Sequence, residues 1–226
     1  MQKLIKEHVE INHEIVKKYL SLKEICSISC VVADSMERDN VMHSSIKLRT
    51  GIEKKFIGPA FTVKLNTGDL VDCLEIFKYV KAGDVVVVDA FGETETSIWG
   101  GLMSGLSLAA GIAGAVVDGG VRDTDEARML GFSLASRSVV PRSTHTPYSQ
   151  RMDSLQFNVP IVCGGVYVNP GDIIVADEIG ITVVPIEMQS DVYEKAVHLA
   201  HNEELVRADI LNGFTAEELL NKYGRI

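Results

Sequence analysis

Two short stretches carry the residue types that could do chemistry, Trp99-Gly-Gly-Leu-Met-Ser104 and Val121-Arg-Asp123. Two glycines ahead of a helix let the backbone come close to a ligand. The free N–H groups of a helix's first turn, aided by its dipole, favour an anion such as a carboxylate or phosphate. Arg122 adds a planar fork of donors suited to a carboxylate or a developing oxyanion, and Asp123 offers an oxygen ligand of the kind hard divalent cations prefer. One Asp cannot hold Mg²⁺ alone, so water and substrate oxygens must complete the shell.

These stretches need elements to position them. A helix is expected over Leu102 to Ala110, then a turn at Gly111 to Gly114, then a strand from Ala115 to Asp118 ending in Gly119-Gly120. A short helix follows over Asp123 to Leu130, and a strand over Phe132 to Ser136. Upstream, Gly83-Asp84 opens a run of four valines, the mark of a strand covered on both faces. Strand, helix, strand in this order predicts a right-handed parallel unit whose ligand sites lie beyond the carboxyl ends of the strands. There the loops Phe91 to Gly101 and Gly119 to Asp123 are expected to meet.

Further out, the spacing predicts an amphipathic helix over Val9 to Leu20 and a second, short helix over Val31 to Met36, capped by Ser27 or Ser29. A polar loop follows over Glu37 to Ser45, then a strand over Ile57 to Leu65 after a Gly-Pro turn, then a helix over Asp69 to Val80 capped near Thr67 to Asp69. Pro170 to Gly180 repeats the phrase of Ala82 to Gly92, with Gly83/Gly171, Asp84/Asp172, Asp89/Asp177 and Gly92/Gly180 in register. Two copies predict two similar β-corners, not a solenoid. Ile161 to Val168 and Ile181 to Pro185 read as strands. The whole, 1–226, reads as one domain with an N-terminal helical segment over 1–36 and a C-terminal helix over 188–222, whose long run is Met188 to Leu211.

The 226 residues are 46% hydrophobic and 23% charged, with 19 glycines, which describes a globular chain rich in tight turns. With 22 basic and 31 acidic side chains the net charge is −9, which argues against nucleic acid or an anionic membrane as partner. The N-terminal stretch mixes both charge signs and lacks a signal-peptide core, and no apolar run approaches membrane-spanning length. Cys26, Cys30, Cys73 and Cys163 have no paired CxxC spacing, which suits reduced thiols in a cytoplasmic protein.

The order of phrases resembles the regulator of RNase activity A (RraA-like) family. The resemblance rests on Gly58-Pro-Ala-Phe-Thr-Val63, the Gly83-Asp84 strand, Trp99-Gly-Gly-Leu102 and Gly111 to Asp123, then on Gly164 to Asp172 and Ala176 to Pro185. It spans about Ser29 to Tyr223. The family includes class II aldolases for 4-hydroxy-4-methyl-2-oxoglutarate and 4-carboxy-4-hydroxy-2-oxoadipate. The resemblance implies an α/β fold, an αββα sandwich of the swivelling β/β/α type, assembled as homotrimers or homohexamers with intersubunit sites. It implies that Asp123 ligates Mg²⁺ (or Mn²⁺), that Arg122 supports substrate and enolate charge, and that Gly100, Gly101, Leu102 and Met103 bind the pyruvate carboxylate through backbone N–H groups. A glutamate from a neighbour's C-terminal helix orders water around the metal in that family, and Glu203 or Glu204 is the nearest match.

The implied reaction is cleavage of a 4-hydroxy-2-oxo acid to pyruvate and a second oxo acid. Oxaloacetate decarboxylation is expected as a side activity, because it passes through the same enolate. One departure is Gly101: the aldolases usually carry Asp or Glu after the loop's first glycine, so either Glu93, Glu95, Asp89 or Asp118 compensates or the activity is feeble or altered. The family's other branch comprises non-catalytic proteins that bind and inhibit a ribonuclease and typically lack the Asp.

Plainer readings compete at each point. Asp123 could cap its own helix, Thr124 to Arg128, with Arg122 as an ordinary ion-pair partner. Gly100-Gly101 could only relieve crowding, His198 and His201 could be a solvated helix face, and Asp84 and Asp172 fit structural roles in turns.

Overall fold

The computed structural model describes residues 4–51, 54–66, 73–144 and 155–224. Its organising strand is β3 (Phe56–Lys64). Within it, Gly58-Pro59 lies inside the strand and is not a turn before it. The first half of β3 pairs antiparallel with β10 (Ile173–Ala176), Pro59 opposite Ile173, and β10 pairs in turn with β11 (Ile181–Val184). Its second half pairs parallel with β4 (Val85–Trp99), from Ala60 opposite Val85 to Lys64 opposite Asp89. The two copies of the repeated phrase therefore flank the same strand.

β4 continues parallel to β5 (Gly114–Val121), and β5 to β6 (Leu134–Val139). The edges are completed by β1 (Leu4–Ile5), β2 (Lys47–Leu48) and β7 (Gln156–Phe157), in the order β1-β7-β3-β4-β5-β6-β2. A separate hairpin, β8 (Ile161–Cys163) with β9 (Val166–Val168), turns at Gly164-Gly165, where one strand was expected.

Alternation along the valine run decides the layering. Val86 and Val88 pack with Met103 of α3 (Gly101–Ala109) and Ala127 of α4 (Thr124–Leu130), while Val85 and Val87 pack with Ile161, Val166, Ile174 and Val183 of the second sheet system. The far side of that second layer, through Ile57, Ile173, Val175 and Val184, packs with α1 (His13–Ser21), α2 (Ile28–Ser35) and α5 (Gln189–Leu211). The result is helix, sheet, sheet, helix, as expected.

Several boundaries differ. α1 starts at His13, not Val9, because Asn12 caps it by accepting from the N–H groups of Glu14 and Ile15. The N-terminal segment is not all helical, since β1 pairs with β7. α2 begins earlier than Val31, and Ser27 precedes it in a left-handed conformation without a side-chain capping bond. Of the helix expected over Asp69 to Val80, Leu74–Lys78 forms a 3-10 turn, and its cap at Thr67 to Asp69 lies outside the described residues. The C-terminal helix is broken: α5 ends at Leu211, and α6 (Ala216–Tyr223) restarts with a Thr215/Glu218 capping box. α6 folds back so that Lys222 and Tyr223 both donate to Asp209 Oδ2, at 2.6 and 2.7 Å.

The largest difference concerns the site. Phe91 to Trp99 was expected as loop but extends β4, running beside Gly119, Gly120 and Val121 through successive register shifts. Gly119-Gly120 is thus strand. A Cβ on Gly120 would lie 2.6 Å from the Thr96 carbonyl oxygen, so the close strand approach requires glycine there.

Candidate active site

The irregular ends of β4 and β5 deliver the two motif stretches side by side. Trp99 is buried, its ring parallel to Phe132 at 6.2 Å between centroids. Its indole N–H donates to Ser104 Oγ (3.2 Å), which donates to the Gly100 carbonyl (3.1 Å), and the Trp99 carbonyl accepts from the Arg122 N–H (2.8 Å). The Trp99 carbonyl thus ties the residue that leads into α3 to the residue that follows β5.

Gly100 is the N-cap residue of α3 and has no side chain to cap it. The capping oxygen comes from elsewhere: Asp123 Oδ2 accepts from the Gly101 N–H at 3.1 Å. Asp123 stands at the N-cap position of α4 in the left-handed region (φ +52°), yet its side chain makes no capping bond to α4. That disposes of the reading in which it caps Thr124 to Arg128. Arg122 Nε lies 3.5 Å from the same Oδ2, and the two side chains are 42% and 44% exposed on the single chain. An exposed pair of this kind adds little to stability, so its placement is free to serve a ligand.

Leu102 and Met103 follow in the first turn of α3, where N–H groups lack intrahelical acceptors. Arg122, Asp123, Gly100, Gly101, Leu102 and Met103 thus converge on one surface, with the Leu102 side chain outward and Met103 buried. Glu203 and Glu204 are not brought there by their own chain. They sit on α5, in the opposite helical layer, where Arg207 donates to Glu203 at 2.5 Å and Glu204 is exposed.

The four acidic residues considered as substitutes at Gly101 are engaged elsewhere or distant in register. Asp89 accepts from the Phe91 N–H, and burial pushes its carboxyl up. Asp118 accepts from Arg137 Nε (2.5 Å) and from the Gly164 N–H (2.6 Å). Glu93 accepts from the Glu95 N–H, and both belong to β4 before Trp99.

The structure adds one residue that the sequence reading missed. Glu126, on α4, reaches over the start of α3: a Cβ built on Gly101 would lie 1.8 Å from Glu126 Oε2. Its spacing from Asp123, three residues on within a helical turn, was the available signal, since i and i+3 share a helix face.

Among known proteins, the RraA-like family model, described as Aldolase/RraA, matches residues 29–183. The chain belongs to the RraA-like family. A Halalkalibacterium halodurans protein, provisionally named a 4-hydroxy-4-methyl-2-oxoglutarate aldolase, is 35% identical over 165 residues, 73% of this chain and 76% of that one. A Thermus thermophilus protein named 4-hydroxy-4-methyl-2-oxoglutarate aldolase is 36% identical over 104 residues, 46% of this chain and 60% of its own. Among solved structures, a Streptomyces coelicolor protein described as an unusual member of the RNase ES inhibitor RraA family superposes with a TM-score of 0.72. It is 28% identical, with 88% of this RraA-like chain and 100% of that one covered.

A divalent cation is implied by the resemblance, and the donors present fit one. Carboxylate oxygens are what Mg²⁺ and Mn²⁺ prefer, and the absence of side chains at Gly100 and Gly101 leaves the ground beside Asp123 and Glu126 clear. Among the described residues no group of three or more His, Cys, Asp or Glu side chains is arranged to hold a metal, so water or substrate oxygens would have to complete the shell.

Proposed function

We propose that this RraA-like protein is a divalent-metal-dependent class II aldolase that cleaves a 4-hydroxy-2-oxo acid to pyruvate and a second oxo acid, with oxaloacetate decarboxylation as a side activity. One observation carries the reading: the Asp123 carboxylate turns away from its own helix to the first N–H of α3, with the Arg122 guanidinium beside it. The aldolase names of its relatives support the same class.

In this reading the Leu102 and Met103 N–H groups, next to the Gly101 N–H that Asp123 takes, and the Arg122 fork hold the substrate's carboxylate end. Asp123 would hold the cation, Mg²⁺ or Mn²⁺, whose contribution is Lewis-acid polarisation of the 2-oxo group. Cleavage passes the C4 hydroxyl proton to a water in the site, from which the enolate is later reprotonated, and breaks the C3–C4 bond. Its electron pair passes to the pyruvate fragment as an enolate, which takes a proton at C3. Arg122 stabilises the charge that develops on the enolate oxygen. Oxaloacetate loses CO₂ from the same C3–C4 bond and reaches the same enolate. No lysine is required, because no Schiff base is formed.

The site is open on a single chain, and a second copy of the chain is proposed to cover it, as a homotrimer or homohexamer in which Glu203 or Glu204 of a neighbour approaches Asp123. The purified protein with Mg²⁺ or Mn²⁺ is expected to release pyruvate from oxaloacetate and from members of a 4-hydroxy-2-oxo acid panel, and Asp123→Ala is expected to abolish that release. A wild-type rate equal to buffer, with no metal-dependent change in thermal stability, would instead favour the non-catalytic, protein-binding role of the ribonuclease-inhibitor type.

A further inference from the structure

We propose that Glu126 is the second carboxylate of the cation seat, supplying from α4 the acidic group that Gly101 cannot. The inference rests on the assignment of Asp123 as cation ligand and extends it to a residue that no comparison assigns.

Three observations converge. First, the Glu126 carboxylate occupies the space in which a side chain at position 101 would begin, 1.8 Å from the ideal Cβ position. A side chain at 101 would have to displace the flexible end of Glu126 from this position. Second, Asp123 Oδ2 lies 3.1 Å from the Gly101 nitrogen. Joined through the roughly 2.5 Å from amide nitrogen to Cβ, these contacts hold the two carboxylates within about 7.5 Å of each other. Two anions bracketing one residue repel each other unless a cation or the helix dipole offsets them. Third, Glu126 has no hydrogen-bond or ion-pair partner among the described residues.

A purely structural role would leave a different trace. At the third position of α4, a glutamate serving its own helix would reach back to the N-cap N–H in a capping box, and no such bond is present. Its carboxylate leans instead across to α3. Outer carboxylates of this kind orient cation-bound water, and removing one typically weakens metal affinity 10- to 100-fold.

The test is Mn²⁺ binding to the full-length protein without substrate, read from the electron paramagnetic resonance of free Mn²⁺ and independent of turnover. Glu126→Gln preserves size and polarity, and it is expected to weaken Mn²⁺ binding at least tenfold while its thermal midpoint in the absence of metal stays at the wild-type value. Asp125→Asn, which removes the same charge from an exposed neighbour, is expected to change Mn²⁺ affinity less than twofold. If Asp123→Asn loses Mn²⁺ and Glu126→Gln binds it as wild type does, the role of Glu126 is overturned while the aldolase site stands. Equal weakening in Asp125→Asn and Glu126→Gln overturns it too, since the effect would then be bulk charge. A wild-type protein that binds no Mn²⁺, or binds it unchanged in Asp123→Asn, overturns the metal site itself.

Discussion

Asp123 holds a left-handed backbone conformation that costs an L-residue on the order of 1 kcal/mol or more, and it uses that conformation to aim its carboxylate at the neighbouring helix. Arg122 beside it matters through shape as well as charge. Lysine at 122 keeps the charge but presents a single ammonium in place of the fork, so bidentate hold on a carboxylate is lost. Arg122→Lys is therefore expected to lower pyruvate release about 100-fold. Its urea midpoint should stay near wild type, because the side chain is half exposed and its ion pair with Asp123 contributes little. A variant that retains wild-type turnover would remove Arg122 from the chemistry.

At the scale of elements, the repeated Gly-Asp phrase shows what such turns are for. Asp84 Oδ2 accepts from the Lys81 N–H (2.7 Å) and from His8 Nε2 (2.9 Å). Asp172 Oδ2 accepts from the Asn169 N–H (2.7 Å) and its Oδ1 from the Ile186 N–H (3.1 Å). Each buried carboxylate closes the turn before its strand, and the two strands flank β3. Burial pushes the Asp172 carboxyl up to about 6, against the pull of its two N–H donors. A raised carboxyl pKa means that the folded state binds the proton more tightly than the unfolded state. Asp172 therefore contributes a loss of stability as pH rises from about 4 to about 6, of order 3 kcal/mol at most. Urea unfolding of wild type and Asp172→Asn at pH 4 and pH 7 checks this. The wild type should lose stability relative to the variant between the two values, and a constant difference would contradict the assignment.

The whole molecule sets its candidate site at the surface of one helical layer and its C-terminal glutamates in the other. Leu102 on α3 and Met129 on α4 are 80% and 81% exposed, and Leu106 and Leu130 on the same two helices are exposed as well. Large exposed apolar side chains on two packed helices are what an interface between copies leaves uncovered in a single chain. If these side chains form the contact of the proposed homotrimer or homohexamer, Met129→Asp is expected to give smaller species in sedimentation velocity and to reduce pyruvate release with it. An unchanged mass would place the contact between copies elsewhere. None of the described helices is long and apolar enough to cross a membrane.

Much of this was legible in the residues themselves. Four consecutive valines announced a strand covered on both faces. The alternation of strand and helix announced parallel pairing, and Gly100-Gly101 with Arg122-Asp123 marked the convergent surface, because all of these depend on local pattern. The sequence could not tell that Phe91 to Trp99 continues β4, since a bulged strand follows the neighbour it pairs with and breaks the period-two signature. Nor could it tell which helix Asp123 serves, because that depends on how α3 and α4 lie across the sheet. The same packing brings Glu126 over Gly101, a contact between residues twenty-five apart whose only local hint was a helical spacing. Residue types fixed the available chemistry; the distances that join carboxylate, guanidinium and amide exist only once the layers have closed on each other.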